Sequence, residues 1–176
     1  MATTVLPRHC AAALGLLLTA CIGANPPAPP VRWFDPAPVG AGPAAAPLVV
    51  TAAPFLGREF VVRVSEHELS IDAGLRWVAG PEDLVARTLS TLVPAARFGT
   101  GLRVYVERFE LVLVGSVRAA ATVVLRWERL GAAAGDVGGT ATGASEAEDR
   151  SPPALAAAMA AALEAVARDL DAALQR

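Results

Sequence analysis

The sequence predicts an α+β fold, a two-layer sandwich in which two α-helices pack on one face of a mainly antiparallel β-sheet. Three observations lead to this prediction. Two long apolar and β-branched segments, 102–114 and 117–129, follow one another with a tight-turn signal between them. A shorter hairpin pattern precedes them in the chain. Two segments with helical periodicity begin near residues 81 and 152.

The first 20 residues have the organisation of a signal peptide. Arg8 gives the positive charge, and the apolar run from Cys10 to Leu18 is too short to span a bilayer. Leu18-Thr19-Ala20-Cys21 then has the order of a lipobox, so the sequence resembles bacterial lipoproteins. The resemblance implies cleavage before Cys21 and a lipid anchor on its sulfur. The alternative is an ordinary secretory signal with a chance cysteine.

Composition excludes several classes of function. The net charge of -2 argues against a nucleic-acid partner, because such binding needs a basic face. The chain has no lysine, so a Schiff-base enzyme is excluded. After cleavage, His67 is the remaining histidine and the lipidated Cys21 is the remaining cysteine. We therefore expect no catalytic site, no cofactor and no metal site. His67 lies in a polar segment that predicts an exposed turn.

Residues 21–47 form the predicted tether between the lipid and the domain. The segment is rich in proline and alanine, which favours a semi-stiff extended spacer. Trp33 and Phe34 interrupt it, and two adjacent aromatic residues are rarely left bare. Three sites could bury them: the domain itself, a neighbouring subunit or the lipid interface. Packing on the domain is the simplest of the three.

The predicted domain, 48–176, begins with short strands. Leu48–Thr51 is the first strand. Residues 59–64 and 69–71 are predicted to form a hairpin through the polar turn at 65–67. Arg76-Trp77 follows this hairpin. A helix is expected from Pro81, with acidic residues in its first turn and apolar residues at helical spacing until Pro94.

The long hairpin is predicted with one irregularity. Residues 117–127 place apolar side chains on one face of the second strand and polar side chains on the other. In the first strand the apolar parity changes at Glu107-Arg108, which predicts a β-bulge. The turn is expected at Gly115-Ser116.

The last third of the chain contains one ambiguous segment and one clear helix. Residues 131–150 are rich in glycine, alanine and threonine, so either a weak edge strand or a loop fits them. Ser151-Pro152 then predicts the start of the final helix, with an apolar stripe from Leu155 to Leu174. This stripe is typical of core packing, and it is too short to span a membrane.

Several short motifs follow one another along the chain: Trp33-Phe34, 54–58 leading into 61–63, Arg76-Trp77 ahead of the helix, and 104–106 with Phe109. In their order and spacing, nearly all of the mature chain resembles the ABC-type transport auxiliary lipoproteins of the paraquat-inducible protein C type. The segment 131–150 departs from the pattern because it is poorer in apolar residues. No catalytic residues are implied by the resemblance.

The resemblance implies a non-enzymatic periplasmic subunit of an intermembrane lipid transport system. Its partners would be a protein with mammalian-cell-entry (MCE) domains and an inner-membrane ABC permease and ATPase. Ile22 after the cysteine fits sorting to the periplasmic face of the outer membrane. Self-association into a ring is also compatible with it.

The candidate partner-binding residues are Arg63, Arg76, Trp77, Trp33 and Phe34, because Arg and aromatic residues dominate interface energetics. The alternative places Trp77 in the core and pairs the arginines locally. A second hypothesis for function is a carrier of lipid or another small hydrophobic molecule, with a pocket between sheet and helices near Ala119 and Ala121. These alanines equally allow close packing of helix on sheet.

Overall fold

The computed structural model describes residues 30–37, 47–114, 118–131 and 138–176. The predicted signal peptide, Cys21 and most of the predicted tether lie outside the described residues, as does the Gly115-Ser116 turn. Within the described ranges, no helix has the length and apolar character that crossing a membrane requires.

The described residues form one seven-stranded sheet and two α-helices, which confirms the predicted α+β class. The helices are α1 (Pro81–Leu92) and α2 (Pro152–Leu174), and a short 3-10 helix, Ala95–Phe98, follows α1. The strands are β1 (Arg32–Phe34), β2 (Leu48–Ala52), β3 (Glu59–Ser65), β4 (Glu68–Trp77), β5 (Leu102–Val114), β6 (Arg118–Arg129) and β7 (Gly138–Glu146).

The strand order is β1-β4-β3-β5-β6-β7, and β2 pairs with β5 beside this path. The pairs β3–β4, β5–β6 and β6–β7 are antiparallel, whereas β1–β4, β2–β5 and β3–β5 are parallel. β2 and β3 take successive parts of one edge of β5, opposite 102–106 and 111–112 respectively. The predicted bulge is confirmed as a register shift between Val106 and Arg108.

Both helices lie on one face of the sheet, which we call the helix-covered face. α1 contacts β2 and β5, α2 contacts β6 and β7, and the two helices contact each other. The β6 residues that face them are Ala119, Ala121, Val123 and Leu125, all fully buried. Burial of a valine or leucine side chain contributes about 1.5–3 kcal/mol, so Val123 and Leu125 contribute to the hydrophobic stabilisation of this layer.

Local sequence determines where both helices begin. Pro81 occupies the first turn of α1, with Glu82 and Asp83 where the helix dipole favours negative charge. Ser151 caps α2, and its hydroxyl accepts a hydrogen bond of 3.4 Å from the Ala154 N–H. Both predicted helix starts are therefore confirmed.

β7 resolves the ambiguity of 131–150, because Gly138–Glu146 is an edge strand. Its small residues are explained by α2, which crosses β7 at very short range. A methyl group on Gly143 would overlap the Ala162 carbonyl oxygen and lie 2.5 Å from the Val166 nitrogen. Only glycine lets the helix come so close to this strand.

α2 also contacts the outer edge of the same strand. The Thr142 N–H donates a hydrogen bond of 2.9 Å to Asp169 Oδ2 on the helix. An edge-strand amide that could pair with another chain is thereby satisfied within this one.

Candidate partner-binding surface

Trp77, one of the predicted binding residues, lies in the core. It is 1% exposed and stacks on Phe60 with ring centroids 3.8 Å apart. The Phe109 ring meets its edge at 5.6 Å, and Phe34 packs on Phe60 at 5.5 Å. Trp77 therefore packs in the core, which is the alternative to partner binding that the sequence left open. Its indole has almost no surface to offer a partner.

Phe34 and Trp33 reach the domain through β1, which the sequence did not predict as a strand. β1 runs parallel to the end of β4, with Trp33 opposite Arg76 and Phe34 opposite Trp77. Phe34 is half-buried in the aromatic cluster, as expected for docking on the domain. Trp33 lies on the other side of the strand and is 51% exposed. Of these two aromatic residues, it leaves more surface for a partner than Phe34 does.

Arg76 lies beside Trp33. Its guanidinium carbon is 5.9 Å from the Trp33 ring centroid, and Nη2 is 3.3 Å from Glu59 Oε1. The Arg76 Nε is buried without a hydrogen-bond partner among the described residues. Part of this side chain is thus paired locally, and part remains at the surface next to an exposed indole.

Arg63 forms a partly buried ion pair within the domain. Its Nε and Nη2 donate hydrogen bonds of 2.7 Å and 2.8 Å to the two oxygens of Glu110, whose side chain is 1% exposed. Its Nη1 donates a third, of 3.0 Å, to the carbonyl oxygen of Glu66 in the β3–β4 turn. The hydrogen bonds to Glu110 raise the pKa of Arg63 above its ordinary value. Arg63 therefore fastens the hairpin to β5, and little of it is free to bind a partner.

The sheet face opposite the helices, which we call the open face, carries a groove of about 650 Å³. Its polar lining includes Arg103, Tyr105, Arg126 and Glu128. Arg103 forms an ion pair with Glu128, while Arg126 lies 3.5 Å from Glu107 and 5.2 Å from the Tyr105 ring centroid. Because both guanidiniums have carboxylate neighbours, the groove presents little net positive charge.

The β3–β4 hairpin holds a second exposed region that sequence reasoning missed. Leu69 is 39% exposed and Ile71 is 60% exposed, and every residue from Glu68 to Ala73 is exposed. A hairpin was predicted here, but alternation alone does not show that its far strand lacks an outer neighbour.

The exposed turn predicted for His67 is present. In the part of the chain that the structure describes, no cluster of side chains is suited to hold a metal ion.

Comparison with known proteins identifies the fold. No family model and no curated protein matches the chain. A crystal structure of protein XCC0632 from Xanthomonas campestris, of the DUF330 family, is 23% identical with a TM-score of 0.58, covering 82% of this chain and 85% of that one. An uncharacterized protein of known structure is 11% identical with the same TM-score, covering 81% and 97%. At these identities the likeness extends to the fold alone.

Proposed function

We propose that this chain is a non-enzymatic lipoprotein subunit of an intermembrane transport system for lipid or other hydrophobic molecules. Cys21 anchors it at the periplasmic face of the outer membrane, and its domain docks on the MCE-domain component that works with an inner-membrane ABC permease and ATPase. The observation that carries the proposal is the lipobox Leu18-Thr19-Ala20-Cys21. Two or more acyl chains on one cysteine hold a soluble domain on a bilayer, because each buried methylene contributes about 0.8 kcal/mol.

The chemistry of the domain supports a docking role. The chain after the lipobox contains one histidine and no further cysteine, so a Cys–His pair cannot form there and a Ser–His pair could use only His67. That histidine, His67, lies in an exposed turn. The open face carries paired charges and an exposed hairpin, features that suit protein contact better than reaction chemistry.

The alternative function, a carrier with a pocket between sheet and helices, receives less support. Ala119, Ala121 and Ala162 are fully buried, and α2 approaches β7 too closely for a side chain at Gly143. The groove lies on the other face, where ion pairs border it. An acyl chain would have to separate α2 from the sheet or lie on a charged surface.

The first experiment tests the anchor. Radiolabelled palmitate should be incorporated into the wild-type chain and into Cys10→Ser, and incorporation should be lost in Cys21→Ser, because only Cys21 follows the lipobox residues. Cys10→Ser is the matched control, since it removes the other cysteine of the chain. Labelling that persists in Cys21→Ser would contradict the anchor.

The second experiment tests the partner. Affinity capture of the wild-type lipoprotein from crosslinked membranes should recover an MCE-domain protein, identified by mass spectrometry. Capture of the lipoprotein with bound lipid and no such protein would instead favour the carrier.

A further inference from the structure

The outer edge of β4 is unpaired over most of its length. β3 occupies one edge of β4 from Glu68 to Asp72 and again at Arg76. β1 occupies the other edge only opposite Leu75–Trp77. Among the described residues, none pairs with the outer edge of Glu68–Asp72. An unpaired strand edge is a template of N–H and C=O groups for an added strand.

The chain's own tether is poorly suited to cover this edge. β1 begins at Arg32, and the sequence before it includes Pro26, Pro27, Pro29 and Pro30. Proline has no N–H to donate to a strand ladder, which confines it to the ends and edges of sheets. The strand that pairs with β4 in parallel therefore stops where the prolines begin.

Hydrogen bonds tie the hairpin that carries the open edge to the centre of the sheet. Arg63 binds the buried carboxylate of Glu110 on the central strand β5 and the Glu66 carbonyl in the turn, with donor–acceptor distances of 2.7–3.0 Å. The hairpin is thus fixed at its tip as well as at its base. A fixed edge loses less conformational entropy when a partner strand is added.

The side chains along the edge indicate what kind of partner it can bind. Leu69 and Ile71 lie opposite Arg63 and Val61, so they project on the open face, where both are exposed. Acidic residues flank them: Glu68 and Asp72 within β4, and Glu66 in the turn. An anionic membrane surface would be repelled by these carboxylates.

A second copy of this chain is also disfavoured. Antiparallel pairing of two β4 edges in the register that overlaps Glu68–Asp72 fully would place Glu68 opposite Asp72 at both ends. Like charges directly opposite each other destabilise a strand pair.

We infer that the outer edge of β4 from Glu68 to Asp72 binds an extended segment of a partner protein, in which basic residues flank alternating apolar residues. The added segment continues the sheet through backbone hydrogen bonds, and its apolar side chains cover Leu69 and Ile71. The inference specifies the docking surface of the proposed function and rests on it for the identity of the partner.

The test is site-specific photocrosslinking in cells with full-length lipoprotein. A benzoylphenylalanine replaces Ser70 on the exposed edge or, as a matched control, Val49, which is 43% exposed on β2. We expect the probe at 70 to give an adduct with the MCE-domain protein within an extended segment containing Lys or Arg. The probe at 49 should give none. Ile71→Lys should reduce the adduct about tenfold through charge repulsion, whereas Val49→Lys should leave it unchanged.

The outcomes separate the inference from the proposed function. No adduct at position 70, while membrane capture still recovers the MCE-domain protein, would overturn the edge inference alone. An adduct with a second copy, with the tether or with lipid would also overturn it. A basic extended segment of another protein, crosslinked at 70 and sensitive to Ile71→Lys, would support the edge and remove the MCE-domain partner from the proposal.

Discussion

The two faces of the sheet are made from alternate residues of the same strands, yet they hold together by different means. On β6, Ala121, Val123 and Leu125 are fully buried under the helices, while Arg126 and Glu128, which follow them along the strand, are exposed on the open face. The helix-covered face depends on apolar packing, and the open face depends on neighbouring charges that satisfy one another. Strand alternation alone is sufficient to produce both.

Glu110 departs from this division. Glu110 alternates with the buried Phe109 and Leu111, so strand parity places it on the open face, yet its side chain is 1% exposed. A buried carboxylate is costly unless its oxygens are bonded, and Arg63 bonds both. The contact between Arg63 and Glu110 is therefore internal, and its loss should lower the free energy of unfolding of the domain.

The largest effect is expected from the aromatic cluster. Trp77→Ala should lower the free energy of unfolding by about 3–5 kcal/mol, because it empties a buried site between Phe60 and Phe109. Trp33→Ala, which changes an indole that is 51% exposed, should cost less than about 1 kcal/mol. Urea unfolding followed by circular dichroism measures both. Equal losses would mean that the exposed indole is as structural as the buried one.

The second effect tests the ion pair of the open face. Arg63→Ala leaves the Glu110 carboxylate buried without its partner, which should cost about 3 kcal/mol. This is the lower end of the expected range, because the Arg63 side chain is 22% exposed and water can enter in its place.

A double variant sharpens this prediction. Arg63→Met with Glu110→Leu removes both charges and should recover most of the lost stability. Chemical denaturation of the two single variants and the double variant gives the coupling free energy. Purely additive losses would show that the pair does not act as a unit.

The smallest effect concerns the start of α2. Asp149 accepts hydrogen bonds from the Ser151 side chain and, at 2.7 Å, from its N–H, and these lower the pKa of Asp149 below its ordinary 3.8. A lowered native pKa contributes stability above the ordinary pKa, and that contribution is lost as the pH falls through the native value. Asp149→Asn should therefore reduce the loss of stability that begins as the pH falls below about 5 and passes through the ordinary pKa.

The control for this prediction is the neighbouring Glu148→Gln, which removes an exposed carboxylate without these bonds. It should leave the pH dependence as in the wild type. An identical pH profile for Asp149→Asn and the wild type would show that the contact between Asp149 and Ser151 does not contribute to the free energy of unfolding.

Local patterns in the sequence predicted most of the fold. The change of apolar parity located the bulge at 107–108. Pro81 with the acidic first turn located the start of α1, and Ser151-Pro152 located the start of α2. The two parallel pairings on one edge of β5 were not predicted, because they join segments far apart in sequence. β1 was missed because three residues between prolines carry no periodic signal.

The candidate site was less predictable for the same reason. Arg63 and Glu110 are 47 residues apart, and only the β3–β5 pairing brings them together. Arginine and tryptophan are frequent at interfaces, but this general tendency did not distinguish the buried Trp77 from the exposed Trp33. The unpaired edge of β4 depends on which strands are neighbours, and one sequence does not contain that information directly.

The hydrogen bond from Thr142 to Asp169 makes the two edges of the sheet unequal in their capacity to add a strand. A sheet whose two edges are both open can add copies at each end and extend into a filament. Here Asp169 on α2 already accepts the hydrogen bond of the Thr142 N–H, in the middle of the β7 edge. Strand addition should therefore be less favourable at the β7 end of the sheet than at the β4 end.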